Sequence, residues 1–248
     1  MSNNLNNIQI VLVRTFHSGN IGSTARAMKT MGLNNLSLVN PKDFPSKETL
    51  QQAHQMARTA ADVVDNAIVF DSLKDALKDC TLVIASTARP RGFDLPELTP
   101  EESAVKLCSL AKKQKVALVF GPERMGLSND DLKLCRYRAT IPTSPDYSSL
   151  NLAAAVQTLG YEIYKQHLIL QNDTEASELD EIFLPSTDEM EKFYIHLEET
   201  LQQSEFIYKK HPGEVMQKLR TLFTRAQVEK SELNILRGML ASFQRNRM

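Results

Sequence analysis

The sequence predicts an α/β protein, and three observations support that fold class. Short apolar runs alternate with longer amphipathic stretches from residue 8 to about residue 170. The apolar runs are nearly continuous, which is typical of strands buried on both faces of a parallel sheet. Helix-capping signals precede several of the longer stretches. We therefore expect a parallel sheet covered by helices over this part of the chain.

The apolar runs and amphipathic stretches place the individual elements. Strands are predicted at residues 8–13, 36–40, 67–70, 81–87, 116–120 and 137–142. Helices are predicted at 21–31, 46–60, 72–79, 100–114, 129–135 and 149–170. Thr99 is followed by Pro100 and, three residues after the cap, by Glu102, which marks a helix start. Ser128 and Asp131 have the spacing of a second capping box, and Gly32 suits a left-handed helix end.

Charge divides the chain in a way that its formal net charge of -1 hides. Residues 1–170 carry 19 basic and 16 acidic side chains, residues 171–205 carry 1 and 11, and residues 206–248 carry 9 and 3. The sequence predicts a first domain at 1–168, an acidic linker at 169–185 and a small helical extension at 186–248. Apolar stripes predict three helices in that extension, and their members are Met190, Phe193, Tyr194, Leu197, Leu201, Val215, Met216, Leu219, Leu222, Phe223, Leu233, Leu236, Leu240 and Phe243.

Several classes of protein are disfavoured by what the sequence lacks. The three cysteines are far apart and form no C-x-x-C pair, which argues against a disulfide framework and a structural zinc site. Neither a P-loop, a dinucleotide fingerprint, H-E-x-x-H nor G-x-S-x-G occurs. The apolar run at 8–13 is too short for a signal peptide core or a membrane span. We expect a cytoplasmic protein without a metal or a membrane partner.

Polar, glycine-containing loops follow three of the predicted strands, where open α/β sheets bind their ligands. Residues 15–26 follow the first strand, residues 121–128 follow the strand at 116–120, and residues 143–153 follow the last strand. The first contains Asn20-Ile21-Gly22-Ser23-Thr24-Ala25-Arg26, an N-x-G-x-x-x-R pattern. The second contains Gly121-Pro122-Glu123-Arg124-Met125-Gly126-Leu127, and the third contains Ser148-Ser149-Leu150-Asn151-Leu152-Ala153.

In order and in detail, these loops resemble the three motifs of SPOUT-class RNA 2'-O-methyltransferases. Residues 27–33, 222–226 and 232–238 are also similar to a bacterial subgroup of that class called TrmJ, so the resemblance covers nearly the whole chain. It implies a SPOUT domain with a parallel sheet and a carboxyl-terminal trefoil knot, followed by the helical extension. It also implies a homodimer that uses S-adenosyl-L-methionine to methylate the ribose 2'-hydroxyl of tRNA cytidine or uridine at position 32. The expected contacts are the anticodon stem-loop and the tRNA body.

The resemblance also implies which residues form the site. Those expected to bind the cofactor are Ser86, Thr87, Ala88, Gly121, Gly126, Ile141, Ser148, Ser149 and Leu150. The resemblance assigns the 2'-hydroxyl and its neighbouring phosphate to Arg26, and the other residues expected to shape the catalytic site are Asn20, Glu123, Ser149 and Asn151. A guanidinium is not expected to lose its proton in a protein, so the role expected of Arg26 is to clamp phosphate and stabilise alkoxide character on the oxygen.

Simpler interpretations remain open for each of these residues. Taken alone, Arg26 is a solvated helix cation, Asn20 a helix cap, Gly121 and Gly126 turn residues, and Ser149 with Asn151 the start of a helix. Glu123 and Arg124 could form a surface pair.

His17 lies beside the first loop and could be a general base, although the family motif does not require it. The basic residues of the extension suit an RNA backbone or a merely solvated face, and they are Lys209, Lys210, His211, Lys218, Arg220, Arg225, Arg237, Arg245 and Arg247. Two alternative functions are a catalytically silent RNA-binding protein and a methyltransferase that acts on another RNA site.

Overall fold

A computed structural model describes residues 4–88, 95–172, 183–207 and 213–245. The first of its two compact units, Met1–Ser177, contains the predicted parallel sheet. Its strands are β1 (Ile8–Val13), β2 (Asn35–Val39), β3 (Ile68–Phe70), β4 (Leu82–Ser86), β5 (Glu97–Leu98), β6 (Val116–Phe120) and β7 (Tyr137–Ala139). They lie in the order β3-β2-β1-β6-β4-β7-β5, and every neighbouring pair is parallel. The predicted fold class is confirmed.

Helices connect these strands, and one more helix comes after the last strand in the chain. They are α1 (Ser18–Thr30), α2 (Lys47–Ala57), α3 (Ala61–Asp65), α4 (Leu73–Leu77), α5 (Pro100–Leu110), α6 (Asn129–Leu132) and α7 (Leu152–Asn172). The predicted capping boxes at Thr99 and Ser128 are both present, and Gly32 has the expected positive φ of 68°. Local sequence chemistry therefore predicted these helix ends correctly.

Several predicted boundaries were wrong. The helix predicted at 46–60 ends at Ala57, because Arg58 takes a positive φ of 52° and a 3-10 turn follows. β7 ends at Ala139 rather than at residue 142, and α7 begins at Leu152 rather than at residue 149. The two-residue β5 was not predicted at all. These changes lengthen the loop between β7 and α7, and that loop contributes to the site described below.

The sheet is buried on both faces, as its continuous apolar strands predict. Side chains of β1 alternate between the two cores: Ile10 and Leu12 pack on one face with α1, α5 and α7, while Val11 and Val13 pack on the other with α4. All three cysteines are buried, and none of them forms a disulfide. Burial raises the pKa of the Cys80 and Cys108 thiols to about 12, so both stay protonated at neutral pH.

In the second unit, Glu178–Met248, the described residues form the three predicted helices. They are α8 (Thr187–Gln203), α9 (Gly213–Ala226) and α10 (Lys230–Arg245). The predicted stripes form its core around Phe193, Tyr194 and Leu233. Two stripe members, Leu222 and Phe243, are instead exposed, because each lies at the solvent edge of its helix.

The structure bears on three further predictions, which concern the linker, the knot and a membrane span. α7 continues to Asn172, through the first four residues of the predicted linker, and linker residues 173–182 lie outside the described ranges. The strand order gives the neighbours in the sheet but not whether the chain passes through one of its own loops, so the trefoil knot stays a prediction. Among the described helices, none is both long and apolar enough to cross a membrane.

The motif glycine Gly22 has a structural reason to be glycine. A Cβ at this position of α1 would lie 1.9 Å from the backbone oxygen of Ala53 in α2. The two helices therefore approach closely enough to exclude any side chain at this point.

We expect Gly22→Ala to lower the free energy of unfolding by about 2 to 3 kcal/mol, because the helices must separate to admit the methyl group. The matched control is Gly19→Ala in the same helix, where an added Cβ has its nearest neighbour at 3.6 Å. That variant should stay within about 1 kcal/mol of the parent. Urea denaturation followed by circular dichroism measures both, and equal losses would contradict the close-approach explanation.

Candidate active site

A pocket lies at the carboxyl ends of β4, β6 and β7, which are neighbours in the sheet. Each of these strands runs directly into a loop that lines it. The lining residues are Ser86, Thr87, Ala88, Phe120, Gly121, Pro122, Glu123, Arg124, Met125, Gly126, Leu127, Ile141, Thr143, Ser148, Ser149, Leu150, Leu152 and Ala155. All nine residues expected to bind the cofactor are among them.

The loop after β6 is folded so tightly that Gly121 cannot carry a side chain, and Gly126 adopts a backbone conformation that favours glycine. A Cβ on Gly121 would lie 2.4 Å from the backbone carbon of Gly126 and from the backbone nitrogen of Leu127. Gly126 has a φ of 65°, and its N–H donates to the Pro122 carbonyl at 2.8 Å. The turn interpretation of both glycines is therefore correct, and the same turn forms one wall of the pocket.

The pocket combines small residues such as Gly121 and Ser148 with apolar side chains such as Ile141 and Leu150 and with the charged Glu123 and Arg124. Thr87 adds an unused polar group, because its Oγ1 is buried without a hydrogen-bond partner among the described residues. A buried hydroxyl left in this state is costly unless a ligand satisfies it. The pocket thus fits a ligand that is held by backbone groups and a few short polar side chains.

Asn20 joins the first loop to this pocket through Glu123. The Asn20 Nδ2 donates to Glu123 Oε1 at 2.6 Å, and the backbone N–H of Phe16 donates to Glu123 Oε2 at 3.2 Å. The interpretation of Asn20 as a helix cap was wrong, because α1 begins at Ser18 with His17 in the cap position. Asn20 is the third residue of α1, in its first turn, where its side chain can reach across to the neighbouring loop.

The same contacts determine the charge of Glu123. Partial burial would raise the pKa of its carboxyl, but hydrogen bonds from Asn20 and from the backbone of Glu123, Phe16 and His17 outweigh that effect and lower it. Glu123 is therefore ionised at neutral pH. The surface pair with Arg124 does not form within the described residues, since both carboxylate oxygens face the first loop.

A second carboxylate fixes the far end of the β6 loop. Asp131 accepts hydrogen bonds from the backbone N–H and the Oγ of Ser128, both at 2.7 Å. It also accepts two from the Arg14 guanidinium, which follows β1. Burial would raise the pKa of Asp131, yet the bonds from Arg14 and Ser128 lower it. The sequence predicted the capping box, but no signal pointed to Arg14 as a partner 117 residues away.

The remaining candidate residues are exposed, and of these only Ser149 lines the pocket. Ser149 lines the pocket and is exposed. Asn151 does not line it: the Asn151 Oδ1 accepts a hydrogen bond from the Ala153 N–H at 2.9 Å, so this residue caps α7. Arg26 is exposed on α1 and is not among the pocket-lining residues. No side-chain partner occupies its guanidinium within the described part of the chain.

The basic residues of the extension differ in their surroundings, and of those described Arg225 and Arg245 are exposed. Arg220 pairs with Glu191 and lies over the ring of Tyr194, and Arg237 donates to the Glu189 carbonyl at 2.8 Å, so both have structural roles within the unit. Lys218 forms an exposed pair with Glu214. Lys209, Lys210, His211 and Arg247 lie outside the described residues. The basic surface predicted from the sequence is therefore smaller than its count suggests.

Comparisons with known proteins agree with this geometry. The model of the SpoU rRNA Methylase family matches residues 7–161, and that of the TrmJ carboxyl-terminal domain, described as a tRNA methyltransferase domain, matches residues 188–248. A curated relative from Citrobacter koseri, named tRNA (cytidine/uridine-2'-O-)-methyltransferase TrmJ, is 52% identical over 97% of both chains. The protein of the same name from Salmonella typhimurium is 51% identical over the same shares.

Solved structures support the same assignment. TrmJ from Z. mobilis ZM4 has a TM-score of 0.79 at 34% identity, and the match covers 95% of this chain and 98% of that one. A probable methylase family protein from Haemophilus influenzae has a TM-score of 0.63 at 45% identity, covering 98% and 97%. The matches extend across the sheet domain with its pocket and across the helical extension, so the chain belongs to the SpoU methylase family and, within it, to the TrmJ branch.

Proposed function

We propose that this enzyme transfers a methyl group from S-adenosylmethionine to the ribose 2'-hydroxyl of a cytidine or uridine at position 32 of tRNA. S-adenosylmethionine is the cofactor of the SpoU methylase family. The observation that carries the proposal is the meeting of the three motif loops, two at one pocket and the first joined to it through the bond between Asn20 and Glu123. The substrate follows the names of the relatives, which share the helical extension.

The pocket supplies binding and orientation. The loops at Ser86–Ala88, Gly121–Gly126 and Ser148–Leu150 would hold the cofactor through backbone groups, and the Thr87 hydroxyl would gain the partner that it lacks. When bound, S-adenosylmethionine supplies an electrophilic methyl group on a positively charged sulfonium. The ionised Glu123 and the Arg124 guanidinium both line the pocket, so it offers charges of both signs to a ligand that carries a cationic sulfonium and a carboxylate.

The exposed residues act on the RNA side. Arg26 clamps the phosphate beside the target ribose and stabilises negative charge on the attacking oxygen. Asn20 holds the first loop against Glu123, so that the amino-terminal end of α1 has a fixed position relative to the pocket. Ser149 borders the entrance, and Asn151 fixes the start of α7 behind it. The gain in rate comes from alignment of the sugar oxygen with the methyl group.

We further propose that the enzyme is a homodimer located in the cytoplasm. Tyr161, Leu168 and Ile169 form an exposed apolar stripe on one face of α7. Such a stripe on a helix of the sheet domain is typical of a surface that another protein covers. A second subunit would also enlarge the surface that contacts the anticodon stem.

The target position is tested by mapping the product. Unmodified tRNA transcripts are incubated with labelled S-adenosylmethionine, and the labelled nucleotide is identified after digestion. We expect one 2'-O-methyl group at position 32. The control is a transcript with a 2'-deoxynucleotide at that position, which should remain unlabelled. Label at another nucleotide would identify a different RNA site, and cofactor binding without transfer to any RNA would indicate a silent RNA-binding protein.

The role of Arg26 is tested with Arg26→Lys at saturating tRNA and cofactor. Lysine keeps the charge but loses the bidentate fork, so we expect kcat to fall by about 10-fold or more. Arg58→Lys changes another exposed arginine of the same unit and should leave kcat unchanged. Turnover by Arg26→Lys close to that of the parent would contradict a bidentate clamp.

The dimer is tested by sedimentation. The parent should sediment as a dimer at micromolar concentration, whereas Ile169→Glu should shift towards monomer because a carboxylate in an apolar interface must be desolvated. Glu48→Ala, an exposed change on α2, is the control and should not alter the sedimentation coefficient. A parent chain that sediments only as a monomer would exclude the proposed assembly.

A further inference from the structure

Phe16 is an exposed aromatic residue held in a fixed position beside the proposed active site. Its side chain is 53% exposed, although Thr15 before it and Ser18 after it are buried. Its backbone N–H donates to Glu123 Oε2 at 3.2 Å, which ties the residue to the pocket wall. The Phe16 side chain is therefore exposed even though its backbone is held in place.

A cation accompanies this ring. The Lys42 Nζ lies 3.9 Å from the centroid of the Phe16 ring, and the Lys42 backbone N–H donates to the Thr15 carbonyl at 3.0 Å. Lys42 is exposed, and within the described ranges no carboxylate lies at ion-pair distance from it. The ring of His17 packs at 76° to that of Phe16, with 5.0 Å between centroids.

These contacts are not needed to hold the loop. The Arg14 N–H donates to the Val39 carbonyl at 2.7 Å, and together with the Lys42–Thr15 backbone bond it already joins the loops that follow β1 and β2. An exposed cation–π contact adds only a little stability to such a connection. An anchored ring open to solvent and an unneutralised ammonium together form a surface that suits a ligand with a flat π-face and a negative charge.

We propose that Phe16 and Lys42 form a docking platform for the target nucleotide, with the pyrimidine base stacked on the Phe16 ring and Lys42 moving to the adjacent phosphate. The inference rests on the proposed function and extends it to recognition of the base. Proteins bind unpaired RNA bases by stacking them on aromatic side chains. Phenylalanine offers no hydrogen bond to a base edge, so this platform accepts cytidine and uridine alike.

The experiment compares Phe16→Leu with Phe16→Tyr. Leucine keeps apolar bulk without a π-face, whereas tyrosine keeps the π-face. We expect KM for tRNA to rise by about 5- to 100-fold in Phe16→Leu and to stay near that of the parent in Phe16→Tyr. Cofactor affinity, measured by calorimetry, should be unchanged in both, which shows that the pocket is intact.

Lys42→Ala should raise KM for tRNA and weaken the salt dependence of that KM. Lys112→Ala, a change at another exposed lysine, is the control.

A direct readout separates stacking from a structural role and does not depend on turnover. An anticodon stem-loop RNA carries the fluorescent base pyrrolocytidine at position 32. The parent and Phe16→Tyr should quench its fluorescence on binding, and Phe16→Leu should not.

Each other outcome has a distinct meaning. Equal KM values and equal quenching in all three proteins would overturn the platform. Loss of the dimer in Phe16→Leu would assign the ring to a subunit interface and would also overturn it. A parent that quenches but does not methylate would refute the proposed function while supporting base stacking.

Discussion

The site depends on two carboxylates that tie the loop after β6 to the loop after β1. Glu123 is bound near the start of the β6 loop by Asn20 and by the Phe16 backbone, and Asp131 is bound beyond its end by Arg14 and Ser128. β1 and β6 are neighbouring parallel strands, so their carboxyl ends meet at one edge of the sheet. Because both carboxylates are kept ionised by these bonds, the ties persist at neutral pH. The pocket wall is thereby fixed from both ends.

The motif glycines show that one residue can serve both fold and function. Gly22 permits the contact between α1 and α2, and Gly121 permits the turn that closes against Gly126. Neither glycine has a side chain that could contact a reacting atom. Gly22 determines how closely two helices pack, whereas Gly121 places backbone along the pocket wall, so a motif defined by glycine describes a shape as much as a chemistry.

Much of the fold was predictable from the sequence because its signals are local. Continuous apolar runs located six of the strands, and hydroxyl caps such as Thr99 located helix starts within a residue. β5 was missed because a strand of two residues, Glu97 and Leu98, is too short to show a hydrophobic pattern. β7 was extended too far because Ile141 and Pro142 continue its apolar run, although their role is in the loop beside the pocket.

The site was predicted unevenly, and the reason is the range of the interactions. Resemblance of the motifs identified the pocket walls, since those residues lie in contiguous segments. The contact between Asn20 and Glu123 joins residues 103 positions apart, and only the sheet topology brings them together. Asn151 was assigned to the reaction, whereas its side-chain oxygen caps α7. A motif indicates that a residue belongs to a site, but the partner of its side chain requires the fold.

The two sides of the site are built differently, and their burial follows from what each must bind. The proposed cofactor side is formed by the loops after β4, β6 and β7, where a preformed shape reduces the entropy lost on binding. The proposed RNA side consists of the exposed side chains of Arg26, Ser149, Phe16 and Lys42 on separate segments. A folded tRNA cannot enter a closed pocket, so its contacts must extend outward from the fixed edge. The ties through Glu123 and Asp131 are what keep those outward groups in register with the pocket.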